Sequence, residues 1–182
     1  MRSDRGSHGG DVLVAYASEH GATAALAEAV AATLRDRGLA VDLRPAREVD
    51  AVEPYRAVVL GSAVYMGRWR REAVALLRRH RRALADRDLW LFSSGPVGDQ
   101  PVDLDDPKAD RWLRPPKVRA LGEALGANDH AVFGGSIDEG GGLLRRRMAQ
   151  GIPPGRRDRR DWGAVRQWAE QVADALDRAR SG

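Results

Sequence analysis

The chain contains no cysteine. That removes disulfides, thiol nucleophiles and cysteine-ligated zinc or iron–sulfur clusters from consideration. Any redox chemistry must then come from a bound organic group. Histidine is scarce as well: His8, His20, His80 and His130 are scattered and show no metal-ligand spacing. Lysine is nearly missing, since Lys108 and Lys117 stand alone among arginines. No apolar run approaches the roughly 18 residues that a membrane-spanning helix needs. Residues 1–10 are polar and rich in glycine and serine, without the apolar segment of a secretory signal. They read as a disordered leader, residues 11–182 as a single domain, and the cytoplasm as the compartment.

Three motifs are also missing. No Gly-x-Gly-x-x-Gly follows the first apolar run, so a dinucleotide fingerprint is absent. No Gly-x-x-x-x-Gly-Lys is present, which argues against a nucleoside triphosphate site. Without a Gly-x-Ser-x-Gly elbow, an esterase would have no nucleophile.

What remains is a chain of 182 residues, 43% hydrophobic and 31% charged, with a net charge of +4. Such a chain is large enough to bury a proper core. The arginine excess reads either as compositional bias or as attraction to acidic partners, nucleic acid or anionic lipid. Interspersed acidic residues favour the first, and the lack of an aromatic-interleaved basic patch argues against nucleic acid.

Four continuous apolar runs, 12–16, 57–60, 89–92 and 131–133, have the composition of strands buried on both faces. A fifth, 40–44, alternates and suits a half-exposed edge strand. Helical spacing lies between them. Leu26, Val30 and Leu34 end near Gly38; Val74, Leu77 and Leu84 mark a second helix with Arg78, Arg79, Arg81 and Arg82 on its wet side. Val118, Leu121 and Leu125 follow Pro115–Pro116, and Val165, Trp168, Val172 and Leu176 follow Asp161, a fitting N-cap. Residues 95–114 and 134–160 show no clear period. The pattern predicts an α/β fold with a five-stranded parallel sheet in the order 2-1-3-4-5 between helical layers. Ligands in such sheets bind beyond the carboxyl ends of the strands.

Three loops fall there. The first, Ser18–Glu19–His20–Gly21–Ala22–Thr23, offers hydroxyls, a glycine and a helix N-terminus, the ingredients of a phosphate site. Alternatively, Ser18 and Thr23 merely cap the helix. A mononucleotide phosphate fits better than a larger nucleotide. The second, Ser62–Ala63–Val64–Tyr65–Met66–Gly67 with Arg68 and Trp69 beyond, allows close backbone approach to a flat heterocycle, with Tyr65 stacking and Trp69 packing on the domain. The third, Ser93–Ser94–Gly95–Pro96–Val97, offers backbone hydrogen bonds directly after a buried strand. No general acid or base stands out. His20 reads as a loop donor or surface residue, and His80 and His130 as solvated or strand-start residues.

From Asp11 to Arg180 the chain resembles the flavodoxin family. Tyr16–Ala17–Ser18, Gly21 and Thr23 are similar to its phosphate loop, and residues 61–69 resemble the branch containing menaquinone-dependent protoporphyrinogen oxidases. The resemblance implies a flavodoxin-like fold binding flavin mononucleotide (FMN). Ser18, Glu19, His20, Gly21, Ala22 and Thr23 would cradle the phosphate. Ser62, Ala63, Val64, Tyr65, Met66 and Gly67 would border the isoalloxazine, with Ser93, Ser94, Gly95, Pro96 and Val97 at its other edge. The third loop lacks the aromatic that typically covers the second ring face, which leaves room for a quinone or other planar redox substrate. A redox protein as partner, with simple electron carriage, and an FMN-free interaction module are the alternatives. Pairing into a homodimer fits enzymes of this kind. Leu143, Leu144, Met148 and Ile152 flank Arg145–Arg147 and would either touch an anionic membrane or pack on the domain.

Overall fold

The computed structural model describes residues 11–95, 103–136, 158 and 160–181. The leader, Pro96, Val97 and the Leu143–Ile152 segment lie outside the described residues. Five parallel strands form the sheet: β1 (Val12–Ala17), β2 (Val41–Pro45), β3 (Ala57–Tyr65), β5 (Asp88–Ser94) and β6 (Asp129–Phe133). Their order is β2-β1-β3-β5-β6, and a two-residue strand, β4 (Arg68–Trp69), pairs antiparallel with the end of β3. Leaving β4 aside, this is the order expected from the apolar runs, with the alternating strand β2 at the edge. Every residue of β2 is half-buried, as an edge position dictates.

Alternation divides the core. Leu13, Ala15, Val58, Leu60, Leu89 and Leu91 point to one side of the sheet. There they meet α2 (Arg71–Arg79), α3 (Arg81–Ala85) and α5 (Pro116–Ala124). Val12, Val14, Ala57, Val59 and Phe92 point to the other. That side is covered by α1 (Ala22–Asp36) and α6 (Trp162–Ser181) through Leu26, Val30, Leu34, Val165, Trp168 and Val172. The period-two pattern of each strand thus feeds two helical layers. Among the described residues, no helix is long and apolar enough to cross a membrane.

Two helices differ from the sequence expectation. The second predicted helix is divided at His80 into α2 and α3. His80 is buried rather than solvated, and its Nε2 accepts from Arg79 Nε at 3.1 Å. A short helix, α4 (Pro107–Leu113), rises from the aperiodic stretch. Asp106 caps it by accepting from Lys108 N at 3.0 Å, with Pro107 in the first turn. Asp161 caps α6 as expected, through Ala164 N at 3.0 Å.

Arg87 joins the connections beneath the sheet. Its guanidinium donates to the carbonyls of Tyr55 at 2.8 Å, Glu53 at 2.9 Å and Ala83. A lysine cannot reach three diverging acceptors. Arg87→Lys is expected to cost about 2 kcal/mol in urea unfolding, given the strength of charge-assisted bonds. A loss below about 0.5 kcal/mol would mean that water replaces the fork without penalty.

Candidate functional site at the carboxyl edge of the sheet

β1 delivers the chain into the first loop, where Gly21 adopts φ 88, a left-handed conformation that glycine takes without strain. Gly21 N donates to Ser18 Oγ at 3.0 Å. Ser18 therefore holds the loop, and no side chain caps α1. The amides of Ala22, Thr23 and Ala24, in the first helical turn, have no intrahelical acceptor. The first turn carries no acidic residue to offset the positive end of the helix dipole. Thr23 is 1% exposed, and its Oγ1 is the only hydroxyl among the described residues that is buried without a hydrogen-bond partner. A buried hydroxyl left unpaired costs about 1–3 kcal/mol. Capping by Ser18 and Thr23, the simpler expectation, is not what the geometry shows.

Glu19 and His20 are exposed. The Glu19 carboxylate pairs with the Arg70 guanidinium. Arg70 N in turn donates to Ser62 Oγ at 3.0 Å, so the first and second loops are tied through one arginine.

The second loop begins later than the apolar run implies. Gly61 to Ala63 continue β3, paired with Phe92, Ser93 and Ser94 of β5. Ser62 is fully buried, and its hydroxyl donates to the Ala63 carbonyl at 3.0 Å while accepting from Arg70 N. Its side chain is spent inside the protein. Ala63 is half-buried and Val64 buried. Met66 and Gly67, at φ 49 and φ 67, form a two-residue hairpin turn into β4. Methionine at positive φ is strained. The turn holds Tyr65 and Met66 outward, 52% and 80% exposed. Trp69, by contrast, is buried, as expected for a packing residue.

Ser93 and Ser94 are the buried end of β5 rather than a loop, and Gly95 follows them with N–H donating to the Phe133 carbonyl at 2.9 Å. Ser93 Oγ accepts from Trp69 Nε1 at 2.8 Å and lies 2.9 Å from His130 Nε2. Trp69 and His130 also meet edge to face, ring centres 5.4 Å apart. Burial pushes the His130 pKa down to about 4, and the Arg114 guanidinium acts in the same direction. The ring is therefore neutral at pH 7. The Ser93 hydroxyl, with one proton and two lone pairs, can satisfy Trp69 Nε1 and His130 Nε2 together.

This network continues to α4. Arg114 Nε donates to the His130 carbonyl at 2.7 Å, and Arg114 pairs with Asp110 at 2.7 Å. The anchored helix lays Trp112 on the hairpin: a Cβ built on Gly67 would sit 3.1 Å from Trp112 Cδ1. Trp112 is itself 41% exposed. An aromatic thus reaches this edge although the third loop has none. His130 and Trp112 escaped the sequence reading. His130 is a strand-start residue as expected, but it is half-buried and engaged in a network. Trp112 lies in an aperiodic stretch, where the Asp106–Pro107 pair was the available helix signal.

A profile of the flavodoxin domain matches residues 13–152, most of the chain. No curated protein sequence matches. Among solved structures, a flavodoxin from the domain Archaea superposes with a TM-score of 0.56 at 13% identity, covering 91% of this chain and 98% of that one. The flavodoxin of Streptococcus pneumoniae TIGR4 gives 0.54 at 20% identity, covering 90% and 98%. The rubredoxin oxygen:oxidoreductase of Desulfovibrio gigas gives 0.60 at 14% identity over 94% of this chain, which spans only 37% of that protein. At such identities the structural likenesses establish the fold.

Proposed function

The chain belongs to the flavodoxin-domain family, and from that premise we propose that it binds FMN and passes electrons between an organic substrate and a quinone, in the manner of the protoporphyrinogen oxidase branch. The observation that carries the reading is the buried, unpartnered Thr23 hydroxyl in an uncapped first helical turn. A phosphate accepts from such a hydroxyl and from the neighbouring amides together, so the donor set fits the group. Ser18 to Thr23 would hold the phosphate. The backbone of Ser62 to Gly67 and of Ser93 to Gly95 would border the isoalloxazine. Bound there, FMN supplies a centre that accepts hydride or single electrons.

The protein's own part is positioning. Ser18 fixes the Gly21 turn, and the Glu19–Arg70 pair holds the phosphate loop against the hairpin. The Trp69–Ser93–His130 network fixes the base of the hairpin on β5. Tyr65 and Trp112 present exposed aromatic surface to a planar substrate. No side chain is assigned as a general acid or base. A rival reading, an electron carrier that turns over no small substrate, is favoured by the charged surface beside the same edge.

Thr23→Val separates binding from folding. Removing an unpaired buried hydroxyl should leave the flavin-free protein equally stable or about 1 kcal/mol more stable. FMN affinity, followed by quenching of flavin fluorescence, should fall about 10- to 100-fold through loss of a charge-assisted hydrogen bond. Unchanged FMN affinity in a folded variant would remove the phosphate from this site. Steady-state reduction of a soluble quinone by the FMN-loaded protein, with a porphyrinogen as the two-electron donor that is oxidised in each turnover, distinguishes the oxidoreductase from the carrier.

A further inference from the structure

We propose that the arginine ridge along α2 and α3 is a docking surface for an acidic redox protein, which it seats against the exposed hairpin; this rests on the reading that FMN occupies the carboxyl edge. Between residues 68 and 82 the chain carries seven arginines and one acid, Glu72. Arg70 is committed to Glu19 and Glu72, and Arg79 to the Val49 carbonyl and His80. The other five, Arg68, Arg71, Arg78, Arg81 and Arg82, are exposed and make no ion pair or side-chain hydrogen bond among the described residues.

Helix stability does not explain this placement. Arg71 opens α2, at the end where the dipole disfavours a cation. Arg78 at the end of α2 and Arg81 and Arg82 at the start of α3 are exposed cations close along the chain, with no acid among them, where like charges repel. The interspersed acids that neutralise arginine elsewhere in the chain are missing here.

The ridge begins at the proposed flavin edge. Arg68 pairs in register with Tyr65 across the hairpin, so its charge stands beside the exposed Tyr65 and Met66. An apolar tip bordered by unpaired cations matches the anatomy of a protein interface, in which complementary charge steers the encounter and a small apolar centre holds it. Electrons need such an encounter to be brief and oriented. The polarity selects a partner whose surface is acidic around its redox centre.

Other polyanions fit less well. The single aromatic within the ridge segment, Trp69, is buried, and the exposed Tyr65 stands only at its hairpin end, so no series of stacking aromatics alternates with the arginines. Asp103, Asp105 and Asp106 are exposed at the start of α4, the last of them about 9 Å along the helix from Trp112. An extended anionic bilayer touching Met66 and Trp112 would meet these carboxylates, whereas a folded protein of limited footprint on the α2 side avoids them.

The test uses the full chain, with and without added FMN, against an immobilised plant-type [2Fe–2S] ferredoxin as the acidic probe. Binding is read by interferometry at about 20 mM and about 300 mM salt, conditions that move the screening length across the size of the ridge. One variant carries Arg71→Gln, Arg78→Gln, Arg81→Gln and Arg82→Gln. A control carries Lys117→Gln, Arg166→Gln, Arg178→Gln and Arg180→Gln, the same change in net charge on other surfaces. Wild type should bind at low salt and release at high salt. The ridge variant should lose about tenfold or more, and the control about twofold or less, as expected for a local charge match. Equal losses in both variants overturn the proposal, as does absent binding by wild type. Ridge-dependent binding to phosphatidylserine vesicles or duplex DNA that is tighter than to ferredoxin also overturns it. Should the fourfold variant fail to fold, the exposed pair Arg78→Gln and Arg82→Gln carries the comparison with about a threefold loss. Interferometry needs no flavin, so failure of the FMN reading appears separately, as unquenched flavin fluorescence in the same preparations.

Discussion

Gly61→Ala should destabilise the protein by about 3 kcal/mol or more, at the upper end of what overpacking a core costs. Gly61 lies opposite Phe92 in the central strand pair, and the phenylalanine ring covers the space where a side chain would stand. An added Cβ would fall 1.9 Å from Phe92 Cζ and 2.3 Å from Cε2. Neither partner can yield easily. Phe92 is fully buried and wedged between Phe133, ring centres 5.8 Å apart, and Trp168 at 6.0 Å. Thermal unfolding should move down by about 6–12 °C for a chain of this size. If the clash is the cause, Phe92→Leu in the same molecule, which removes the ring tip, should make the double variant more stable than Gly61→Ala alone. A double variant as unstable as the sum of the two single changes would place the cause elsewhere.

The second large effect is on acid stability. His130 has a pKa of about 4 in the folded protein against about 6.5 in an unfolded chain. The unfolded state therefore binds the extra proton between these values, and stability falls as pH drops through that window. Neutral burial of His130 is fully favourable above pH ~6.5 and its contribution is gone below pH ~4. The expected loss is about 3 kcal/mol from this one residue. His130→Gln offers both a donor and an acceptor to the Ser93 hydroxyl but cannot titrate. Urea unfolding at intervals from pH 7 to pH 4 should show wild type declining more steeply than His130→Gln, with the two curves diverging below pH ~6.5. Parallel curves through the window would mean that the imidazole is solvated in the folded state.

The central strands were readable because residues buried on both faces must be apolar without interruption: 12–16, 57–60 and 89–92 lie in β1, β3 and β5, whereas 131–133 lies in β6, the other edge of the sheet, where Ala131 and Val132 are only half-buried. The edge strand β2 betrayed itself by alternation, and α1, α5 and α6 by helical spacing and their end signals. Strand ends were less legible. β3 runs on to Tyr65 because Gly61 to Ala63 find partners on β5, and small residues carry little β-propensity of their own. The hairpin turn was hidden because Met66 occupies a position where Asn or Gly is usual.

Local chemistry in the sequence determined the sheet, its order and the glycine turn between β1 and α1, since buried apolar runs alternating with helical spacing specify a parallel sheet and a glycine between strand and helix permits the tight junction. Tertiary structure alone decided which hydroxyls are spent and which are left over. Ser62 and Ser93 look alike in the sequence to Thr23, yet both are consumed by partners 8 to 37 residues away, while Thr23 keeps a free donor. The same holds for Trp112 and His130, brought to the site by contacts between α4, β6 and the hairpin. Hydrogen bonds and packing between distant segments leave no periodic trace in the chain, because they depend on where the folded backbone places each atom rather than on neighbouring residues.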